Sequence, residues 1–378
     1  MKRALACLVA TLLGLTLFAL HSEAKKVSVR MQVPEMVSAE KARLQGRVTG
    51  RDAVEIQRYV SDKDRWVPVK RVRASAQGVF RTTVRATRRW ERYRAVAGHA
   101  QSLARIVPAA STPVTDEPAP TDACGRRPLR GDGKTYWACT LAQNFNGTEI
   151  DRSVWRPQTG FPTGSDTGRP CYVDDPSVIS VHDGALHLSV RGVPRPPECP
   201  GLKEAPTAHV AGMVSTYRLF SQQYGRFEAR IKNTATRVPG LQEAFWLWPD
   251  DRYGSTLNWP ASGEIDIAET YSEHPTLAIP FLHYTWNDNL GPKPGVNTAW
   301  DCTATRGEFN TYTLEWTASR LEILVNGRTC LVNTSGDPAF RKPYIVSLTQ
   351  MLGTASNAYD GRAPLPATMT VDYVRVWE

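Results

Sequence analysis

The segment Trp259-Pro260-Ala261-Ser262-Gly263-Glu264-Ile265-Asp266-Ile267-Ala268-Glu269-Thr270 sets three carboxylates within six residues. In an extended strand, side chains two apart share a face, so Glu264 and Asp266 point one way while Ile265 and Ile267 point to a core. Strict alternation would turn Glu269 inward, and a buried unpaired carboxylate is costly. One extra residue between Asp266 and Glu269, a β-bulge, brings all three onto one face, and such bulges re-aim side chains beside active sites. Three crowded carboxyls cannot all ionise freely, so repulsion raises at least one pKa. The result is a carboxylate able to attack an anomeric carbon and a carboxylic acid able to protonate a leaving oxygen. A solvated acidic strand or a calcium site would use the same residue types. The two isoleucines that back the strand, and Trp259 with a face suited to a sugar ring, favour the catalytic reading.

The elements that must hold this segment are strands. Residues 123–378 form one unit rich in Gly, Pro and aromatics, with strand-like runs at Ala185–Val190, Gly225–Ile231, Tyr312–Trp316, Leu321–Val325, Thr329–Val332 and Met369–Trp377. Asn326-Gly327 between two of them is a hairpin signal. No amphipathic helix of convincing length is present, and an antiparallel double sheet such as a jelly roll is expected. Residues 25–108 form a second block of short alternating runs, including Val54-Glu55-Ile56-Gln57-Arg58-Tyr59 and Val79-Phe80-Arg81-Thr82-Thr83-Val84, which predict a small β-sandwich. Residues 109–122 are rich in Pro and small residues and read as a linker.

The chain opens Met1-Lys2-Arg3, runs apolar from Ala4 to Leu20 and reaches Ser22-Glu23-Ala24, the plan of a secretory signal peptide over residues 1–24. The run is short for a membrane anchor, no later segment is apolar enough to span a bilayer, and an exported protein is expected. Without Cys7, six cysteines remain, an even number that suits disulfides outside the cytosol. Six allow 15 pairings; the sequence-local pairs Cys124–Cys139, Cys171–Cys199 and Cys302–Cys330 are the expectation. No spacing resembles a zinc site. The net charge of +9 is unevenly spread: in residues 25–108 Lys and Arg outnumber Asp and Glu by 20 to 7, a net of +13. A basic module can hold a protein on an anionic cell-wall polymer, although a solvated basic face that only aids solubility is the simpler use. No nucleic-acid reading motif accompanies the charge.

Glu264-Ile265-Asp266-Ile267-Ala268-Glu269 resembles the Glu-x-Asp-x-x-Glu signature of glycoside hydrolase family 16, in the bulged form of laminarinases. Asn144–Asp151 with Trp155, Val181–Leu186, Tyr224–Arg230, Ala244–Pro249 and Val371–Val376 resemble further blocks of that family in order, over the whole second unit. The first block is similar to modules of another kind: residues 25–108 resemble the immunoglobulin-like accessory modules of secreted bacterial proteins. The fold implied is all-β: a concanavalin A-like β-jelly-roll catalytic domain over 123–378, preceded by an immunoglobulin-like β-sandwich. The resemblance implies a retaining enzyme with Glu264 as nucleophile, Glu269 as general acid and then base, and Asp266 tuning the pair.

His283 stands where many family members carry a histidine on the strand beside the acidic one, and a structural histidine is an alternative there. Trp259 and Trp246 are candidate sugar contacts, or packing beneath the groove, with Trp248 more ambiguous; Gln350 is a candidate contact from a late strand. Glu228 and Arg230 read as a cross-strand ion pair. Asp372 sits where relatives often place a structural calcium ligand, against the reading of an ordinary surface carboxylate; no other metal and no cofactor is called for. Relatives often carry Trp-Pro before Ala-Phe-Trp, where this chain has Leu241-Gln242-Glu243, and the stretch Thr285–Cys302 with Trp286 and Trp300 is long. The reading is an endo-acting β-glucanase with β-1,3-glucan as favoured substrate and a polysaccharide as its partner, expected to be monomeric. The alternatives are action on another β-polysaccharide of galactan type, transglycosylation, or a carbohydrate-binding protein on the same fold.

Overall fold

Apolar residues recurring at every second position, punctuated by Gly, Pro and Asn-Gly turns, produce strands in nearly every element of this computed structural model. The structure describes residues 27–38, 40–60, 65–87, 91–107, 119–131, 133–159, 170–195, 199, 208–284 and 292–378. Residues 1–24, most of the 109–122 stretch and Trp286 lie outside the described residues.

The first block is two sheets around one core. Ser28–Met31, Glu35–Ser38 and Val79–Arg85 gather on Lys41–Thr49, and Arg65–Arg73, Ala53–Val60 and Glu91–Ala97 form the second sheet with two short strands. Inward residues of both, among them Leu44, Phe80, Ile56, Tyr93 and Ala95, close a single cluster. Their alternation with charged outward residues is the pattern of a sandwich with one dry face per sheet. Arg105 of this block forms an ion pair with Asp301 of the second unit.

The second unit stacks a ten-stranded sheet on a seven-stranded one, a β-jelly-roll arrangement. The seven-stranded sheet orders its strands Arg156–Pro157, Met213–Ser215, Tyr344–Leu352, Leu241–Pro249, Glu264–Tyr271, Leu277–His283 and Cys302–Thr303. Its inward residues, including Phe245, Leu247, Ile265, Ile267 and Leu348, meet Phe227, Leu314, Trp316 and Val374 of the larger sheet. Asn326 (φ 50°) and Gly327 (φ 72°) turn the expected hairpin with both residues left-handed, the conformation that two-residue loop demands. The three sequence-local disulfides form. The end of the expected linker is already structured: Thr121–Asp122 pairs with Gly125–Arg126. The Asp122 carboxylate accepts the backbone N–H groups of Cys124 and Cys139 at 2.9 and 3.0 Å, next to their disulfide.

A buried ion pair lies between the sheets. Arg306 donates from both terminal nitrogens to Glu243, at 2.6 and 2.8 Å, and both side chains are almost wholly enclosed. Glu243 also accepts from Thr270 Oγ1 at 2.8 Å and Gln350 Nε2 at 3.2 Å. Every oxygen lone pair that burial would leave costly therefore meets a donor.

Candidate active site

The acidic strand opens at Gly263, whose φ of +89° is left-handed. A Cβ there would lie 2.0 Å from the Tyr344 hydroxyl, so only glycine delivers the chain into the strand at this angle. From Glu264 the register runs regularly against Leu277–His283, pairing Glu264 with His283 and Asp266 with Phe281, then shifts before Glu269 pairs with Ile279. Against Leu241–Pro249 the same shift separates the pair Trp246 and Asp266 from Phe245 and Ala268. Ile267 and Ala268 both turn into the core, and one extra residue is absorbed where the bulge is expected. Glu264, Asp266 and Glu269 consequently share the face turned away from the core.

That face is recessed. Asp266 is 6% exposed although it does not point into the core, and Ala244, Ser347, Thr349 and Met351 on the same face are also buried. A carboxylate oxygen of Glu264, one of Asp266 and a ring nitrogen of His283 lie within 4.8 Å of one another. Trp259 Nε1 donates to Glu264 Oε2 at 2.7 Å. His283 Nε2 sits 3.3 Å from Asp266 Oδ2. Gln242 Nε2 donates to Glu269 Oε1 at 3.0 Å, and the Tyr271 hydroxyl hydrogen-bonds Glu269 as well.

Burial pushes the Glu264 carboxyl up to about 8, with the Asp266 carboxylate raising it further and His283 and Trp259 opposing. Burial likewise pushes Glu269 up to about 7, with Asp266 again adding to the rise and Tyr271, His283 and Gln242 opposing. Asp266 lies beside both glutamates, so the three carboxyls exchange protons as one unit. What the arrangement supplies at neutral pH is at least one protonated carboxyl among carboxylates on one face.

The aromatic expectations divide. Trp259 is 39% exposed, with its ring 5.2 Å from that of His283. Trp246 is half-buried beside Asp266, donates to Thr349 Oγ1 at 2.9 Å and meets Trp248 edge-on at 6.0 Å. Both reach the carboxylate face. Gln350 does not: it pairs with Glu243 in the neighbouring strand and is fully buried on the opposite, core-facing side. Strand parity is the reason, since Thr349 and Met351 take the open face and leave Gln350 to the Glu243 ion pair. Arg230 pairs with Asp372 at 2.5 Å, and Glu228 with Arg226 at 2.5 Å, so the expected Glu228–Arg230 pair is replaced by two others. Asp372 is thereby a partner of arginine on the far sheet. Of the long stretch, Asn297 accepts the Leu282 N–H at 2.8 Å, which lays residues 292–302 along the strand that carries His283. Trp300 leans on His274 at 5.5 Å.

Gln242 and Tyr271 join the site without standing out in the sequence. Their parity holds the signal: Gln242 shares a face with Ala244 and Trp246, and Tyr271 stands two residues beyond Glu269.

A two-sheet jelly roll whose recessed face carries clustered carboxyls among exposed and half-buried tryptophans has the layout of a carbohydrate-active protein. Its sequence matches the glycosyl hydrolases family 16 over residues 176–375, and the chain belongs to that family. It is 26% identical over 262 residues to glucan endo-1,3-beta-glucosidase A1 of Niallia circulans, covering 62% of this chain and 37% of that protein. It is 31% identical over 182 residues to keratan-sulfate endo-1,4-beta-galactosidase of Sphingobacterium multivorum, covering 46% of this chain and 41% of that protein. The chain thus spans less than half the length of these two relatives. The endo-beta-1,3-glucanase of Pyrococcus furiosus has a similar fold, with a TM-score of 0.56 and 22% identity over 65% of this chain and 96% of that one.

Proposed function

We propose that this family 16 enzyme is a secreted, retaining endo-β-glucanase whose favoured substrate is β-1,3-glucan. The observation that carries the reading is the bulge at Ile267–Ala268, which leaves Glu264, Asp266 and Glu269 on one recessed face. Glu264 attacks the anomeric carbon as the glycosidic C–O bond breaks, and the Glu269 proton passes to the leaving oxygen. Water then attacks the same carbon, gives a proton to Glu269 and frees Glu264. Two inversions at one carbon retain the β configuration. Trp259 Nε1–H can only donate, and it favours the ionised form of Glu264 that attacks. The name of the Niallia circulans relative supports the β-1,3 linkage.

A second reading, action on a β-galactan, has support in the Sphingobacterium multivorum relative and in polar Gln242 where an aromatic is usual. Reducing-sugar release from laminarin, lichenan, agarose and keratan sulfate separates the two. Release from laminarin alone or foremost is the expected result, and release from none overturns the proposal. Proton NMR of early product should show the β anomer first; an initial α anomer would rule out retention.

The first block is proposed to be an independent immunoglobulin-like module that holds the enzyme on an anionic cell-wall polymer. Its support is the charge surplus and one sheet face where Arg92 and Arg94 lie over the rings of Tyr59 and Trp66, at 4.0 and 4.4 Å. A variant lacking residues 25–118 should turn over soluble glucan normally and lose retention on insoluble acidic wall material. Loss of soluble turnover would show that the module is part of the catalytic unit.

A further inference from the structure

Glu269 faces Ala244 in the register, and alanine offers no hydrogen-bonding side chain. The carboxyl instead meets the next pair along, Gln242 and Tyr271, which stand directly opposite each other. Gln242 donates to Glu269 Oε1 at 3.0 Å, while its own Oε1 is buried without a partner among the described atoms. The Tyr271 hydroxyl supplies the second contact. Both groups are amphoteric: an amide carries a donor and an acceptor, and a phenol can give or take a hydrogen bond. Each can donate to a carboxylate, and each can accept from a carboxylic acid, the amide by turning over so that its idle oxygen faces the proton. Trp259 on Glu264 is different in kind, being a donor only.

We infer that Gln242 and Tyr271 are positioning residues that hold Glu269 in place through both of its protonation states. The inference rests on the acid–base role proposed above. A residue that gives up a proton in one half of turnover and takes one back in the next needs partners that suit both forms. A fixed cation or a donor-only ring would favour the ionised form and leave the acid's own O–H without an acceptor.

The clamp also sets where Glu269 titrates. The other titratable groups facing it are Asp266 and Glu264 on its own strand and His283 on the next, with Glu273 near Tyr271. None of these changes in Tyr271→Phe or Gln242→Met. Both contacts favour ionised Glu269, so losing either raises its pKa and keeps the acid protonated to higher pH. The alkaline limb of kcat/KM on a soluble β-glucan should therefore move up by about half to one pH unit in each variant. The kcat/KM for the glucan should fall on the order of tenfold, whereas kcat/KM for a dinitrophenyl β-glycoside, which reads only the steps up to departure of a leaving group that needs no proton, should stay close to the parent value.

An unmoved limb, or equal losses on both substrates, would reduce Gln242 and Tyr271 to packing and overturn the inference. If Tyr271→Phe does not fold, Gln242→Met reads the same quantities. Glu269→Gln in the same assays keeps the two levels apart. Should that variant hydrolyse glucan normally, the acid–base role itself falls; should it be inactive on glucan while the limb stays put in the other two, only the clamp falls.

Discussion

Glu264→Gln should lose turnover by a factor on the order of 10⁴ or more while the protein stays folded and still binds glucan. The amide has nearly the shape of the carboxylate but cannot form the glycosyl ester, so the first bond-making step is removed outright. Trp259 Nε1–H can still donate to the amide oxygen, which keeps the strand entry and the Trp259 ring in place. Burial and Asp266 already hold the Glu264 carboxyl against ionisation, so a neutral amide fits the same surroundings and no loss of stability is expected. Binding by affinity electrophoresis in glucan gels, together with rates on the same substrate, checks both halves. Residual hydrolysis within tenfold of the parent would show that Glu264 is not the nucleophile.

The second large effect is on stability. Arg306→Met leaves Glu243 enclosed between the sheets with its carboxylate unpaired, and such a loss costs about 3–5 kcal/mol. For a domain of this size each kcal/mol moves Tm by about 2–4 °C, so a fall of about 10 °C is expected. Thr270 Oγ1 and Gln350 Nε2 still donate to Glu243 and soften the loss without supplying a charge. The paired change Glu243→Leu with Arg306→Met should recover most of it, because two apolar side chains of similar volume need no desolvated charge. Urea denaturation of the three proteins makes the comparison. A single variant within about 1 kcal/mol of the parent would mean that the pair is solvated in a way its burial does not suggest.

The two effects meet in one place. Glu243 and Gln242 are neighbours on a strand and so face opposite sides of the sheet: Glu243 locks the strand to the core, and Gln242 reaches Glu269 on the open face. Thr270, beside Glu269, is held by the same ion pair from within. The side chains that hold Glu269 from outside and those that hold its strand from inside therefore alternate along two adjacent strands. This is a consequence of period-two geometry alone.

Much of this architecture is legible in the order of residues along the chain. Alternation marks the strands of both units, Asn326-Gly327 marks a hairpin, and the cost of burying Glu269 forces a bulge at the right residues. These follow from local rules: parity, turn conformation and the desolvation of a charge act within a few residues, so the chain alone determines them. What only the tertiary structure decided was partnership. Whether Gln350 faces sugar or core depends on which residue lies across from it in a strand about a hundred positions earlier. That Arg230 takes Asp372 rather than Glu228, and that Gln242 and Tyr271 converge on Glu269, are likewise matters of register between distant segments. A carboxyl's neighbours set its pKa, and those neighbours come from three strands joined only by folding.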